Sequence, residues 1–172
     1  MAQIKQVQIA FVPLEDRLLL RLNTDAAEEF RLWITRRYAR LLGPVFQRLL
    51  ETDPIVAQQA SAQARDAVLS FRHQDAIERA DFSRAFDAAA AVLPLGPAPV
   101  LLARVQLKPG PGGGSILCLH PEQGPGVELA MNPQLVHSLS RLFADALDKA
   151  QWDLAAPAVR GEPAAAGQRT LN

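Results

Sequence analysis

The sequence has few of the residues from which covalent cross-links or soft metal sites are built. Its 172 residues include a single cysteine, Cys118, which excludes an intramolecular disulfide and argues against a zinc cluster of thiolates. Its 18 basic and 18 acidic residues give a formal net charge of zero, so charge provides no long-range attraction to nucleic acid or to an anionic membrane. No apolar run approaches the roughly 20 residues of a membrane helix. The alternating N-terminus is not typical of a signal peptide. We therefore expect a cytoplasmic protein with no membrane contact and no cofactor.

The overall composition is that of one folded domain. Hydrophobic residues make up 49% and charged residues 21% of the chain, which is ordinary for a globular protein. Arginine far outnumbers lysine and alanine is abundant, which indicates GC-rich bacterial coding. We predict one domain over residues 1–152. Residues 153–172 are rich in alanine, proline and glycine without a period, which predicts a disordered tail.

The clearest local pattern lies in residues 16–51. Leucines alternate with polar residues over 17–22, and a second alternating run over 29–34 follows a short polar turn, which predicts an antiparallel hairpin. A further alternating run over 3–12 precedes it and completes a three-stranded meander. At Thr35 the period changes to 3.6, which predicts a helix capped by the Thr35 hydroxyl. Pro44 predicts a kink or break inside that helix.

The remaining elements complete an α+β fold. One long helix is predicted from Pro54 to about Ala80, and a short helix around Phe82 and Phe86 extends the helical pattern to residue 91. The long helix has one face marked by Val56, Ala60, Ala64, Ala67, Val68 and Phe71. Strands are predicted at 100–108, 115–120 and 127–131, and a last helix at 133–152. We predict an antiparallel sheet or sandwich of about six strands with a helix–turn–helix insert and a C-terminal helix. This order of elements over residues 3–152 resembles the head domain of a scaffold superfamily that includes the centriolar cartwheel protein and DNA end-joining scaffold proteins. The resemblance implies a structural role and a final helix that dimerises, and it assigns no functional residues.

The last helix carries a possible dimer seam. Apolar residues recur at alternating spacings of three and four, as in a coiled coil: Val136, Leu139, Phe143, Ala146 and Ala150. One interpretation is that this face packs on the chain's own sheet, and the other is that it joins two copies in a homodimer.

An arginine cluster around the start of the first helix is the main candidate binding site. Arg31, Trp33, Thr35, Arg36, Arg37 and Arg40 form the group. Arginines near a helix N-terminus can bind an acidic segment, a phosphate or a nucleic-acid backbone, and an exposed tryptophan can stack on a base or anchor an interface. The alternatives are a solvated arginine face and a tryptophan covered by a second layer.

No motif for catalysis stands out. Cys118 and His120 lie on one strand face and could begin a metal site or a nucleophilic pair, but no nearby cysteine, histidine or carboxylate completes either one, so we predict no metal site. His73 and His137 are predicted to be separate surface or boundary residues. The sequence thus favours a non-enzymatic structural or protein-interaction protein that self-associates through its C-terminal helix or outer sheet face. The alternative is a weak binder of nucleic acid or of an anionic ligand through the arginine cluster, a partner that we consider possible and do not favour.

Overall fold

A computed structural model describes residues 3–79, 86–87 and 92–154. The predicted disordered tail lies almost entirely outside these residues, and so does most of the short helix that the sequence predicts around residues 82–86. The described chain is a mixed α+β fold with two sheets and four α-helices, which confirms the predicted fold class.

The first sheet is built from the predicted meander and one later strand. Strands β1 (Ile4–Val12), β2 (Arg17–Thr24) and β3 (Glu29–Ile34) are antiparallel neighbours. Strand β4 (Val100–Leu101) adds to β3 in parallel, so the sheet order is β1-β2-β3-β4. The alternating leucines of β2 turn one face of this sheet toward the core.

Helix α1 (Arg36–Glu51) follows directly from β3. The Thr35 hydroxyl accepts a hydrogen bond from the Tyr38 backbone N–H at 3.4 Å, which confirms the predicted cap. The helix continues through Pro44, so the predicted break is absent. Arg40 and Pro44 are both exposed, so water can reach the Arg40 carbonyl that the proline leaves without a donor.

Two helices take the place of one long predicted helix. Helix α2 (Pro54–Ala57) and helix α3 (Ala62–Arg79) are separated by a short non-helical link. Helix α3 buries Leu69 and Ala76, whereas Phe71, which the pattern places on the buried face, is 73% exposed.

The chain then passes from the first sheet into a second one. The Leu102 N–H donates to the Trp33 carbonyl and the Ala103 N–H donates to the His120 carbonyl, both at 2.9 Å. The strand predicted over 100–108 is therefore divided between two sheets. Strands β5 (Arg104–Pro109), β6 (Ser115–His120) and β7 (Val127–Met131) form an antiparallel sheet in that order.

Helix α4 (Pro133–Ala150) closes the core. Asn132 caps it by accepting from the Leu135 N–H at 2.8 Å. The Phe143 ring is fully buried and meets the Phe46 ring edge to face at 5.2 Å. Beyond the helix, the buried Trp152 indole donates to Asp16 at 2.8 Å. These contacts fix α4 against α1 and the first sheet.

The interior leaves little free space around these rings. An apolar void beside Phe46, Leu117 and Phe143 amounts to about 10 Å³, which is at the lower limit for one water molecule. It does not form a ligand pocket. None of the helices in the described part of the chain has the length and apolar character required to cross a bilayer.

Candidate functional site

One row of apolar side chains crosses the whole outer face of the first sheet. The strand register places Ala10 opposite Leu19, Leu19 opposite Trp33 and Trp33 opposite Leu101. Side chains alternate between the two faces of a strand, so these four, here called the apolar row, point away from the core. Leu101 is 46% exposed and the other three are half-buried. The row is a partly open hydrophobic surface that spans four strands.

A buried ion-pair network occupies the adjacent rows on the same face. Glu29 is 1% exposed, and its Oε1 accepts from Arg21 Nε at 2.7 Å and from Arg31 Nε at 3.0 Å. Burial raises the pKa of Glu29, but the hydrogen bonds and charges of Arg21 and Arg31 outweigh burial and hold the pKa below its ordinary value. Arg31 also donates to the Pro97 carbonyl at 3.1 Å. The Arg31 guanidinium is therefore held by hydrogen bonds within the chain.

The chain itself covers this polar half of the sheet. The Arg21 guanidinium lies over the Phe86 ring at 4.1 Å from its centroid. Asn23 Nδ2 donates to the Asp87 carbonyl at 2.5 Å, and the Asp87 N–H donates to Gln6 Oε1 at 3.0 Å. Among the residues that the structure describes, these contacts fall on the polar rows and not on the apolar row.

The structure separates the predicted arginine cluster into different roles. Thr35 caps α1, Arg31 pairs with Glu29, and Arg36 Nη2 donates to the Trp152 carbonyl at 2.6 Å. Arg37 and Arg40 are exposed, and within the described ranges neither forms an ion pair. Of this cluster, Arg37 and Arg40 are therefore the arginines that the described part of the chain leaves available to an external anion.

The predicted dimer seam lies inside the chain's own core. Val136, Leu139, Phe143 and Ala146 are at most 5% exposed and Ala150 is half-buried. This face of α4 packs on β1, α1 and α3, as the first interpretation of the pattern requires. In this arrangement its side chains are not open to a second copy.

A carboxylate that sequence reasoning missed completes a cluster around Cys118. Glu128 lies directly opposite Cys118 in the register of β6 and β7. The Cys118 thiol, the His120 imidazole and the Glu128 carboxylate have ligand atoms within 4.8 Å of one another. The expectation that no carboxylate stands near Cys118 and His120 was wrong, because the partner comes from the next strand. Counting the hairpin register from the turn at 121–126 could have found it.

The two helical histidines also meet, contrary to the expectation of separate boundary residues. His73 Nδ1 and His137 Nδ1 are 3.1 Å apart across the contact of α3 and α4, and His137 is 2% exposed. Nearby, the buried Asp53 carboxylate accepts from Arg72 Nε at 2.8 Å. The sequence pattern of each helix could not predict this contact, because the two histidines meet only through the packing of α3 on α4.

No family model, curated protein or solved structure matches this chain. The resemblance to scaffold head domains therefore stays a prediction.

Proposed function

We propose that this is a non-enzymatic protein-interaction protein that self-associates by packing the apolar rows of two copies face to face. The observation that carries the proposal is the row itself: four apolar side chains in register across the sheet, with Leu101 46% exposed beside the half-buried Trp33. Large aromatic side chains are enriched in the buried centres of protein interfaces.

A second copy of the chain is the occupant that the charges favour. The formal net charge is zero, so two copies meet without long-range repulsion. The charges next to the row are largely compensated within each copy: Glu29 pairs with Arg21 and Arg31, and Arg17 lies 3.7 Å from Glu15. Two such faces can stack as sheets do in a sandwich, about 10 Å apart.

The small size of the apolar row sets the expected strength of the association. Stable interfaces bury about 800 Å² on each partner, and four side chains, three of them already half-buried, provide only the centre of such an area. We therefore expect a reversible dimer with a dissociation constant on the order of micromolar. The apolar face of α4 is buried in the chain's own core. Its part in this association is therefore limited to packing against β1, which carries Ala10 of the apolar row.

Light scattering on the full chain after size exclusion tests the proposal. The wild type should show a dimer mass at high micromolar concentration, and Leu101→Asp should shift it to a monomer. Leu14→Asp is the matched control, because Leu14 is fully exposed and lies away from the apolar row, so it should leave the dimer intact. A wild type that is monomeric at every concentration would overturn the proposal, as would equal masses for the two variants.

A second candidate function rests on Arg37 and Arg40. Both are exposed on the first turns of α1, and their charges could bind an acidic segment or a phosphate backbone. A nucleic-acid ligand would show an affinity that falls steeply with salt. Double substitution of Arg37 and Arg40 by glutamine should abolish that binding, whereas Arg104→Gln, which changes an exposed arginine on the other sheet, should not. Absence of binding at low salt would dismiss this candidate.

A further inference from the structure

The outer face of the second sheet gathers three different metal-binding side chains around one point. Cys118 and His120 are two residues apart on β6 and so share a face. Glu128 is the cross-strand partner of Cys118, and its Oε1 is 3.9 Å from His120 Nε2. The thiol, imidazole and carboxylate atoms all lie within 4.8 Å of one another. None of the three belongs to the first sheet or to the apolar row.

We propose that Cys118, His120 and Glu128 bind a zinc ion on this face of the second sheet. A thiolate, an imidazole and a carboxylate are the three side-chain ligand types that zinc uses, with bonds of about 2.0–2.3 Å in a tetrahedron. Such bonds place neighbouring ligand atoms about 3.5 Å apart. The ligand atoms, which now lie within 4.8 Å of one another, would have to approach to that distance, and the strand pairing already holds their backbones side by side.

The chemistry of the set narrows the choice of ion. A soft thiolate selects zinc over magnesium or calcium, which prefer oxygen ligands throughout. Three protein ligands leave the fourth tetrahedral position to water or to an added ligand. Glu128 is exposed and His120 is half-buried, whereas Cys118 is fully buried beside them, so the ion would reach the thiol from the Glu128 side.

Lys108 is the resident competitor for this site. Its ammonium lies 2.8 Å from Glu128 Oε1 and occupies the carboxylate that the zinc ion would take. Affinity should therefore increase when Lys108 is removed.

The single cysteine of the chain makes the test unambiguous. Cobalt(II), a spectroscopic substitute for zinc, gives a near-ultraviolet charge-transfer band only when a thiolate is a ligand, and here that thiolate can come only from Cys118. Titration of the untagged full chain should produce this band at one equivalent, and zinc should bleach it by competition. Cys118→Ser should lose the band. Lys108→Met should tighten binding by up to about fivefold, because it removes the competing ion pair.

Two further variants separate a built site from incidental thiol binding. His120→Gln and Glu128→Gln should each weaken cobalt binding at least tenfold, as expected for loss of one ligand. His73→Gln removes a histidine of another region and should leave binding unchanged, and circular dichroism of each variant reports that it is folded. Absence of the charge-transfer band in the wild type, or a band of equal affinity in the Glu128→Gln and His120→Gln variants, would overturn the proposal.

Discussion

Acidification should weaken the packing of α3 on α4 because two imidazoles meet there. His73 Nδ1 and His137 Nδ1 are 3.1 Å apart, so one must donate a proton and the other must accept. Burial, then the charge of His137 and then Arg141, lower the pKa of His73 to about 4. Burial also lowers the pKa of His137, assisted by Arg72 and opposed by Asp53. The contact is therefore made by neutral rings.

The sign and size of the effect follow from proton linkage. A histidine whose folded pKa lies below its unfolded value near 6.5 takes up protons more readily when unfolded, so the free energy of unfolding falls as the pH falls. A His73 pKa of about 4 means that the free energy of unfolding falls by about 2 kcal/mol between about pH 7 and about pH 5. His73 is partly exposed, so solvent screening reduces the expected loss to about 1–1.5 kcal/mol.

Urea unfolding at several pH values measures this loss. The wild type should lose about 1–1.5 kcal/mol from about pH 7 to about pH 5, and the double variant His73→Leu/His137→Leu should lose much less. His120→Gln, which removes the histidine of the second sheet, should keep the wild-type pH dependence. The reasoning would be refuted if the wild type and the double leucine variant lost the same free energy over this range.

Three substitutions test other contacts by urea unfolding at neutral pH. Glu29→Gln should cost about 2–4 kcal/mol because it leaves Arg21 and Arg31 without their buried partner, whereas exposed Glu122→Gln should cost less than about 0.5 kcal/mol; equal costs would contradict the role of the network. Gly126→Ala should cost about 1–3 kcal/mol, since a Cβ there would overlap the Leu119 carbonyl and the His120 ring, and an unchanged stability would contradict this close approach. Asn132→Ala should cost about 1 kcal/mol by removing the cap of α4, and Asn132→Asp should retain it; a similar loss in both variants would point away from capping.

Local patterns were sufficient where neighbouring residues decide the structure. The alternation over residues 4–34 predicted β1, β2 and β3, since each hairpin partner is the next strand in sequence. The change of period at Thr35 predicted the start of α1, because the cap and the helix are encoded within four residues.

Patterns failed where distant parts of the chain decide. Alternation continues through residues 100–108. However, Leu102 donates a backbone hydrogen bond to Trp33 in the first sheet and Ala103 donates one to His120 in the second, so the two halves of the run belong to different sheets. The helical period of α3 placed Phe71 inside, whereas α4 packs on the face that carries Leu69 and Ala76. Neither the division of residues 100–108 nor the exposure of Phe71 can be predicted from adjacent residues, because each depends on which distant element packs beside the segment.

The candidate sites also differ in whether residues adjacent in sequence were enough to predict them. The arginine cluster was predicted from residues adjacent in sequence, yet Glu29 and the Trp152 carbonyl engage two of its members. The apolar row and the Cys118–His120–Glu128 cluster both depend on strand register, so each becomes visible only when strands are paired. Trp33 was singled out in the sequence as a possible interface residue, and the row supplies its neighbours Leu19 and Leu101.

The emission of Trp33 as a function of protein concentration tests self-association through the apolar row most directly. The chain has two tryptophans, so Trp152→Phe leaves Trp33 as the reporter, with size exclusion confirming that the variant is folded. Packing of two rows would remove Trp33 from water, so its emission should be blue-shifted at high concentration and should shift to the red on dilution through the micromolar range. An emission maximum that stays constant over the whole range, with a monomer mass throughout, would contradict the account.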